Sequence, residues 1–213
     1  RCELYHNLPV YIDELTELKG EELSSLIYQI SSGKQKNRMT SGGVNTERVR
    51  GKPWSLLSVT TGNTSAIERV SMYKSMPKAE AQRMMETKAT RLFDKSKTKH
   101  LTDAHATNAI SIYGHACVPY MQYIIANIEA VKDLMSRVQS KIDTTAGLTA
   151  ENRFWSAGAA ATLTGVLIAK KLGLVNYDTN KLFKYIIKLL KENKNSTTEM
   201  NVSAADTLND YIH

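Results

Sequence analysis

The sequence predicts an α/β fold, in which part of a parallel β-sheet is followed by an all-α helical bundle. Two apolar runs without polar alternation, Leu8–Ile12 and Leu56–Val59, are typical of strands buried on both faces of a parallel sheet. A helical pattern separates the two runs, which is the chain order of a parallel α/β sheet. From about Leu101 onward the pattern is helical throughout, and this predicts the bundle.

The predicted sheet region comprises a strand, a helix, a loop, a second strand, two helices and a short third strand. The first helix spans about Gly20–Ser31, because its apolar residues recur at helical spacing and acids occupy its first turn. Glycines and cations between residues 32 and 52 predict a loop or hairpin. The later elements are expected at Trp54–Thr61, Ser65–Lys74, Pro77–Thr87 and Ala89–Phe93.

The bundle is predicted to contain four helices separated at glycines. The third is rich in alanine and glycine, which allow close helix packing. A polar linker at Asn193–Thr198 precedes the start of a further element, so the predicted division of the chain is 1–98, 99–192 and 193–213. The four helices are expected at Ala104–Tyr113, Cys117–Val138, Ala150–Leu172 and Thr179–Lys191.

Composition restricts the function classes. The 213 residues, 42% of them hydrophobic, suffice for one sizeable domain or for a core and a smaller bundle. The net charge of +7 favours an anionic partner such as nucleic acid.

Cys2 and Cys117 are too few for a disulfide framework, so we expect a reducing, cytoplasmic compartment. The longest apolar stretch, Ala157–Leu172, contains lysines and threonines, and we therefore expect no membrane span.

Polar residues follow both predicted strands. Asp13 and Glu14 end the first apolar run, and Thr60, Thr61 and Asn63 end the second. The carboxyl ends of parallel strands meet at one edge of a sheet, so these side chains are expected to share a crevice. In a nucleotide hydrolase the Asp helps to hold magnesium, the Glu polarises the attacking water and the polar tip senses the terminal phosphate. The alternative is that the acids only begin a turn or cap a helix.

The sequence contains no glycine-rich phosphate-binding loop ending in Gly-Lys-Ser/Thr. The nearest tripeptide, Ser32–Lys34, follows the acidic strand and lacks both the first glycine and the final hydroxyl residue. We therefore expect this chain to be the carboxy-terminal part of a cleaved or truncated ATPase, missing the amino-terminal half of that domain. Alone it is expected to hydrolyse little or no ATP.

Cations supply two further candidate sites. Lys34, Lys36 and Arg38 lie in the predicted loop, where they can neutralise successive phosphates without reading bases; the alternative is a solvated loop. Arg91 can act as an arginine finger on a neighbouring subunit's nucleotide, or form a surface salt bridge. The spacing of the histidines near Cys117 matches no strong zinc pattern.

Three segments together resemble the helicase-like ATPase domain of phage and mobile-element primase-helicase proteins. They are Leu8–Glu14, Leu26–Arg38 and Trp54–Asn63, and the likeness extends over most of the chain. The family is similar to superfamily 3 helicases and, more distantly, to other AAA+ ATPases. The resemblance therefore implies that the predicted sheet is part of an AAA+-like ATPase core, with the bundle as its lid or collar. Supporting landmarks are Ala89–Phe93, Ile112–Ala116, Arg153, Phe154, Gly173 and Leu174.

The resemblance also implies an activity: a magnesium-dependent ATPase that assembles into a homo-oligomeric ring, such as a hexamer, and moves along DNA, with single-stranded DNA as the expected form. Asp13 matches the magnesium-binding Walker B acid and Glu14 the water-activating base. Asn63, with Thr60 or Thr61, matches the polar sensor. Arg91 matches the arginine acting across a subunit interface, and Lys34, Lys36 and Arg38 match a loop that faces DNA in the ring's pore. Two alternatives remain open: a catalytically decayed DNA-binding or ring-assembly module, and a DNA-packaging component.

Overall fold

The computed structural model describes residues 8–34, 52–74, 77–89 and 95–212, with the backbone alone at residues 16, 95–98 and 199–212. These residues belong to two compact units, one formed by residues 1–86 with 192–213 and the other by residues 87–191.

The first unit contains two short strands and three helices. Its elements are β1 (Val10–Ile12), a 3-10 helix (Leu15–Glu17), α1 (Gly20–Ser32), β2 (Ser58–Thr60), α2 (Ala66–Ser71) and α3 (Lys78–Ala81). Strand β1 pairs with β2 in parallel, with Val10 opposite Ser58 and Ile12 opposite Thr60. Helix α1 begins and ends within a residue of its predicted bounds, because its amphipathic spacing and its terminal Gly33 both specify it.

The predicted fold class is wrong. The described residues are mostly helical, and they form only this two-stranded parallel sheet rather than part of a parallel-sheet AAA+ core. The apolar runs predicted strands buried on both faces, yet Tyr11 is 74% exposed and Val59 is 40% exposed. On the other face, Ile12 packs against a core of Leu15, Leu23, Ile27, Ala66 and Val70.

A buried carboxylate links the helices of the first unit. Glu80, at 0% exposure, accepts hydrogen bonds from Ser24 Oγ at 2.6 Å and from Lys74 Nζ at 3.0 Å. Burial disfavours the ionised form of Glu80, but these hydrogen bonds outweigh it and hold the pKa of the carboxyl below its ordinary value. The same hydrogen bond raises the pKa of Lys74.

The second unit is helical. Its elements are α4 (Lys95–Ser111), α5 (Cys117–Ala126), α6 (Ile128–Ala146), a 3-10 helix (Ala150–Asn152), α7 (Arg153–Lys171) and α8 (Thr179–Ile212), whose residues from 192 onward belong to the first unit. A core around Trp155 joins α6, α7 and α8, and the alanines of α7 permit this packing since Ala159 and Ala160 are fully buried. The predicted second helix is interrupted at Asn127, which separates α5 from α6.

Further local expectations differ from the structure. The predicted polar linker at Asn193–Thr198 is helical, and within it the hydroxyls of Ser196, Thr197 and Thr198 donate to carbonyls one turn earlier. The helix predicted at Pro77–Thr87 is confined to Lys78–Ala81. Ala89 is not in a strand, and the rest of the strand predicted at Ala89–Phe93 lies outside the described residues. Among the described helices, none has the length and apolar character needed to cross a membrane.

Candidate active site

The parallel register brings the carboxyl ends of β1 and β2 together, as the sequence predicted. Thr61 N donates to Ile12 O at 3.1 Å, and Leu15 N donates to Thr61 O at 2.9 Å, so the pairing continues past the strands themselves. Leu15 is buried in the core of the first unit and anchors this end of β1. The residues between Ile12 and Leu15 are therefore held directly beside Thr61.

Asp13 and Thr61 are joined through their side chains. The Thr61 hydroxyl donates a hydrogen bond to Asp13 Oδ1, which also accepts from Glu14 N at 3.1 Å. Both side chains are exposed. Thr60 is half-buried and, by strand alternation, lies on the face opposite the exposed Val59. Thr61, rather than Thr60, is thus the threonine that contacts the acidic pair.

Glu14 has an unusual backbone. It is the non-glycine residue with positive φ in the described chain, with φ 53° and ψ 42° in the left-handed region. This conformation costs an L-residue roughly 1–2 kcal/mol, and such strain is concentrated at functional sites. Its carboxylate accepts from Asn63 Nδ2 at 3.1 Å on Oε1 and 3.0 Å on Oε2. Asn63 therefore fixes the direction of the Glu14 side chain.

The donor set at this edge suits a hard cation only in part. Within the described residues, no group of three or more His, Cys, Asp or Glu side chains forms a metal cluster. Asp13 offers an exposed carboxylate, and magnesium is commonly held by one or two carboxylates, the phosphates of a nucleotide and water. Asp13 is thus the residue that would hold a magnesium ion arriving with a nucleotide.

The predicted cationic loop begins away from the acidic pair. Gly33 caps α1, and its carbonyl accepts from Trp54 N at 2.8 Å, in the segment that leads into β2. A Cβ at Gly33 would lie 2.8 Å from Trp54 O, so this close approach and its φ of 67° both require glycine. Lys34 is exposed next to it, on the amino side of β2, whereas Asp13 lies past the carboxyl end of β1. Two other predicted DNA contacts, Lys36 and Arg38, are outside the described residues.

The arginine predicted to act across a subunit interface, Arg91, also lies outside the described residues. Its two competitors have internal roles. Arg69 Nε donates to Leu18 O at 3.3 Å, and Arg83 donates to Ala79 O at 2.5 Å while stacking on Tyr28. Neither of these guanidinium groups is positioned at the acidic pair.

One acid that the sequence did not single out supports the segment after β2. Glu86 accepts from Ser65 Oγ and from Ala66 N, both at 2.7 Å, at the start of α2. Asn193 in turn binds the backbone of Glu86 through both of its amide atoms. No local pattern could reveal these contacts, because the partners are far apart in the chain.

Comparison with known proteins adds no relative: no protein family, curated protein or solved structure matches this chain.

Proposed function

We propose that this chain supplies the acidic and sensor side of an ATP-hydrolysing site in an ATP-dependent DNA helicase or translocase. The observation that carries the proposal is the parallel pairing of β1 with β2, which places Asp13 against Thr61 and Glu14 against Asn63. Sequence-distant groups of the types needed for phosphoryl transfer are thereby joined at one solvent-accessible edge.

Each side chain has a chemical role in this proposal. Glu14 acts as the general base that orients and polarises the attacking water. Asp13 holds magnesium, which supplies positive charge against the terminal phosphate when it is bound with ATP. Asn63 aligns the Glu14 carboxylate and is close enough to the same crevice to sense the phosphate. The phosphate-binding groups must come from outside this sequence, because it contains no glycine-rich phosphate loop.

DNA is the proposed polymer because the chain has a net charge of +7 and carries exposed cations outside the acidic edge. Attraction between a basic protein and the phosphate backbone is independent of base sequence. A motor that moves along DNA requires contacts of this kind.

The test is ATP hydrolysis by the longest natural protein that contains this chain, with magnesium, in the presence and absence of single-stranded DNA. Glu14→Gln is expected to lower kcat at least ~100-fold, since it removes the general base without changing the shape of the side chain. Glu17→Gln is the matched control, because it changes the same charge three residues away on an exposed side chain. It should leave kcat unchanged.

Stimulation by DNA that disappears in Glu14→Gln and persists in Glu17→Gln would support the motor. A folded protein that hydrolyses no ATP with magnesium present would refute the enzyme, and equal losses in both variants would refute the role of Glu14.

A further inference from the structure

Helix α8 carries a one-signed charged face. Lys181, Lys184, Lys188 and Lys191, which we call the lysine stripe, follow one another at intervals of three or four residues and are all exposed. This spacing places them on one side of an α-helix. The opposite side of the helix packs into the core of the second unit. Its buried residues include Ile186, Ile187 and Leu190.

The lysine stripe carries excess positive charge. Like charges three or four residues apart destabilise a helix, yet Lys184 and Lys191 have no acid at that spacing on either side; Asp178 and Glu192 stand at that spacing from the other two lysines. At the start of the helix, Asp178 approaches Lys181 only to 3.9 Å.

Helix α6 of the same unit shows the ordinary arrangement. Its exposed charges alternate in sign and form ion pairs of 2.8 Å, Glu129 with Lys132 and Asp133 with Arg137. Two helices that pack into one core thus differ in the pattern of charge on their solvent-exposed faces. The excess positive charge on this face of α8 attracts anionic ligands.

The dimensions of the lysine stripe suit a polyanion. From Lys181 to Lys191 the helix rises roughly 15 Å, so the ammonium groups form a row along which successive phosphates can lie. Tyr185, which is 53% exposed, lies four residues after Lys181 and three before Lys188. An aromatic ring beside a row of cations provides a stacking surface for an unpaired base.

An anionic membrane fits this helix less well. A helix that lies in a bilayer surface buries its apolar face in lipid. The apolar side of α8 is already buried in protein through Ile186 and Leu190, so only the lysines and Tyr185 are available.

We propose that the lysine stripe, with Tyr185, binds the phosphate backbone of single-stranded DNA. This inference rests on the proposed function for the choice of DNA as the polyanion, and it adds a contact surface beyond the predicted loop at Lys34. The binding requires neither ATP nor magnesium.

The experiment measures fluorescence anisotropy of a labelled oligothymidylate titrated with this chain at several salt concentrations, without nucleotide. For Lys184→Gln/Lys191→Gln, the slope of log K against log salt should become shallower by about 1.4, which is about 25-fold weaker binding at 0.1 M salt. The matched control Lys132→Gln/Arg137→Gln removes the same charge from α6 and should leave the slope unchanged. Tyr185→Ala should weaken binding to the oligothymidylate more than binding to a duplex.

Equal losses in the α8 and α6 variants would overturn the stripe as a site, because the effect would then reflect net charge alone. Stronger stripe-dependent binding to phosphatidylglycerol vesicles than to DNA would also overturn it, as would a duplex preference unaffected by Tyr185→Ala. DNA binding without nucleotide does not depend on Glu14. A failure of DNA binding therefore does not affect the hydrolysis test, and a failure of hydrolysis does not affect the measured DNA binding.

Discussion

The two compact units of this chain are built on different scales. The second unit packs helices of up to 19 residues within its own range around Trp155. Apart from the end of α8, from residue 192 onward, the first unit uses three-residue strands and helices of 13, 6 and 4 residues. The proposed hydrolytic residues all belong to the first unit and stand in the turns after β1 and β2. Side chains in turns can be aimed at a ligand because the backbone is not committed to regular hydrogen bonding there.

The larger apolar core therefore belongs to one unit, and the proposed hydrolytic residues belong to the other. In the second unit, long apolar helix faces specify the packing, and the solvent-exposed faces carry the charged side chains. In the first unit, a small core holds one face of the sheet, while Tyr11 and Val59 on the other face remain exposed. Variants that probe one unit at a time can test this contrast.

The largest effect is expected at the core of the second unit. Trp155→Ala should lower the free energy of unfolding by about 3–5 kcal/mol, because it removes a 2%-exposed ring and leaves a cavity among α6, α7 and α8. The measurement is denaturant unfolding followed by circular dichroism. Trp54→Ala is the matched control in the first unit, and its loss should be smaller, since Trp54 is outside that unit's core cluster. A larger loss at Trp54 would reverse the contrast between the two units.

An intermediate effect is expected at the buried carboxylate of the first unit. Lys74→Ala should lower the free energy of unfolding by about 1–3 kcal/mol, because it leaves the Glu80 charge buried with one hydrogen-bond donor fewer. The estimate is below that for a fully buried pair, since the Lys74 side chain is 41% exposed.

The pH dependence of this pair has a definite sign. The folded pKa of Glu80 lies below its unfolded value, so its stabilisation is present above about pH 4.3 and is lost as pH falls through the folded pKa. The difference in unfolding free energy between the unmutated chain and Lys74→Ala should therefore shrink below that pH. A difference that grows on acidification would contradict the assigned direction.

The smallest effect on stability is expected at the candidate site. Asn63→Ala removes an exposed side chain whose contacts are with the Glu14 carboxylate, so unfolding should change by less than about 0.5 kcal/mol. Under the proposed function, ATP hydrolysis should nevertheless fall, because Glu14 would lose its alignment. A stability loss as large as that of Lys74→Ala would mean that Asn63 serves the fold instead.

The sequence predicted the local geometry of the site better than it predicted the fold. Strand runs ending in polar residues predicted that the acidic pair and the Thr/Asn tip would meet at one edge, because parallel pairing follows from the helix that connects the strands. The sequence did not predict that Asp13 contacts Thr61 and Glu14 contacts Asn63. The extrapolation from two apolar runs to a larger parallel sheet failed, because such runs specify a strand but not the number of its neighbours. The exposed Tyr11 shows that an apolar residue in a strand need not be covered.

Other features had no local signal. The helix through Asn193–Thr198 contradicts weak intrinsic propensities, and tertiary packing prevails there, as the buried Thr197 shows. Glu86 accepts hydrogen bonds at the start of α2 from residues about twenty positions away in the chain, and no spacing rule predicts such contacts. The left-handed backbone of Glu14 was equally unpredictable, since glutamate has no preference for that region.

That backbone conformation makes position 14 informative in evolutionary terms. Left-handed geometry favours Gly, Asn or Asp, whereas water activation in the proposed mechanism demands a carboxylate with the reach of glutamate. Under the proposed function, a descendant of this protein without hydrolytic activity would be under pressure to replace Glu14 with Gly or Asn, and one with that activity would retain the strained glutamate. The residue at this single position would then record, in any lineage, whether selection still acts on the reaction.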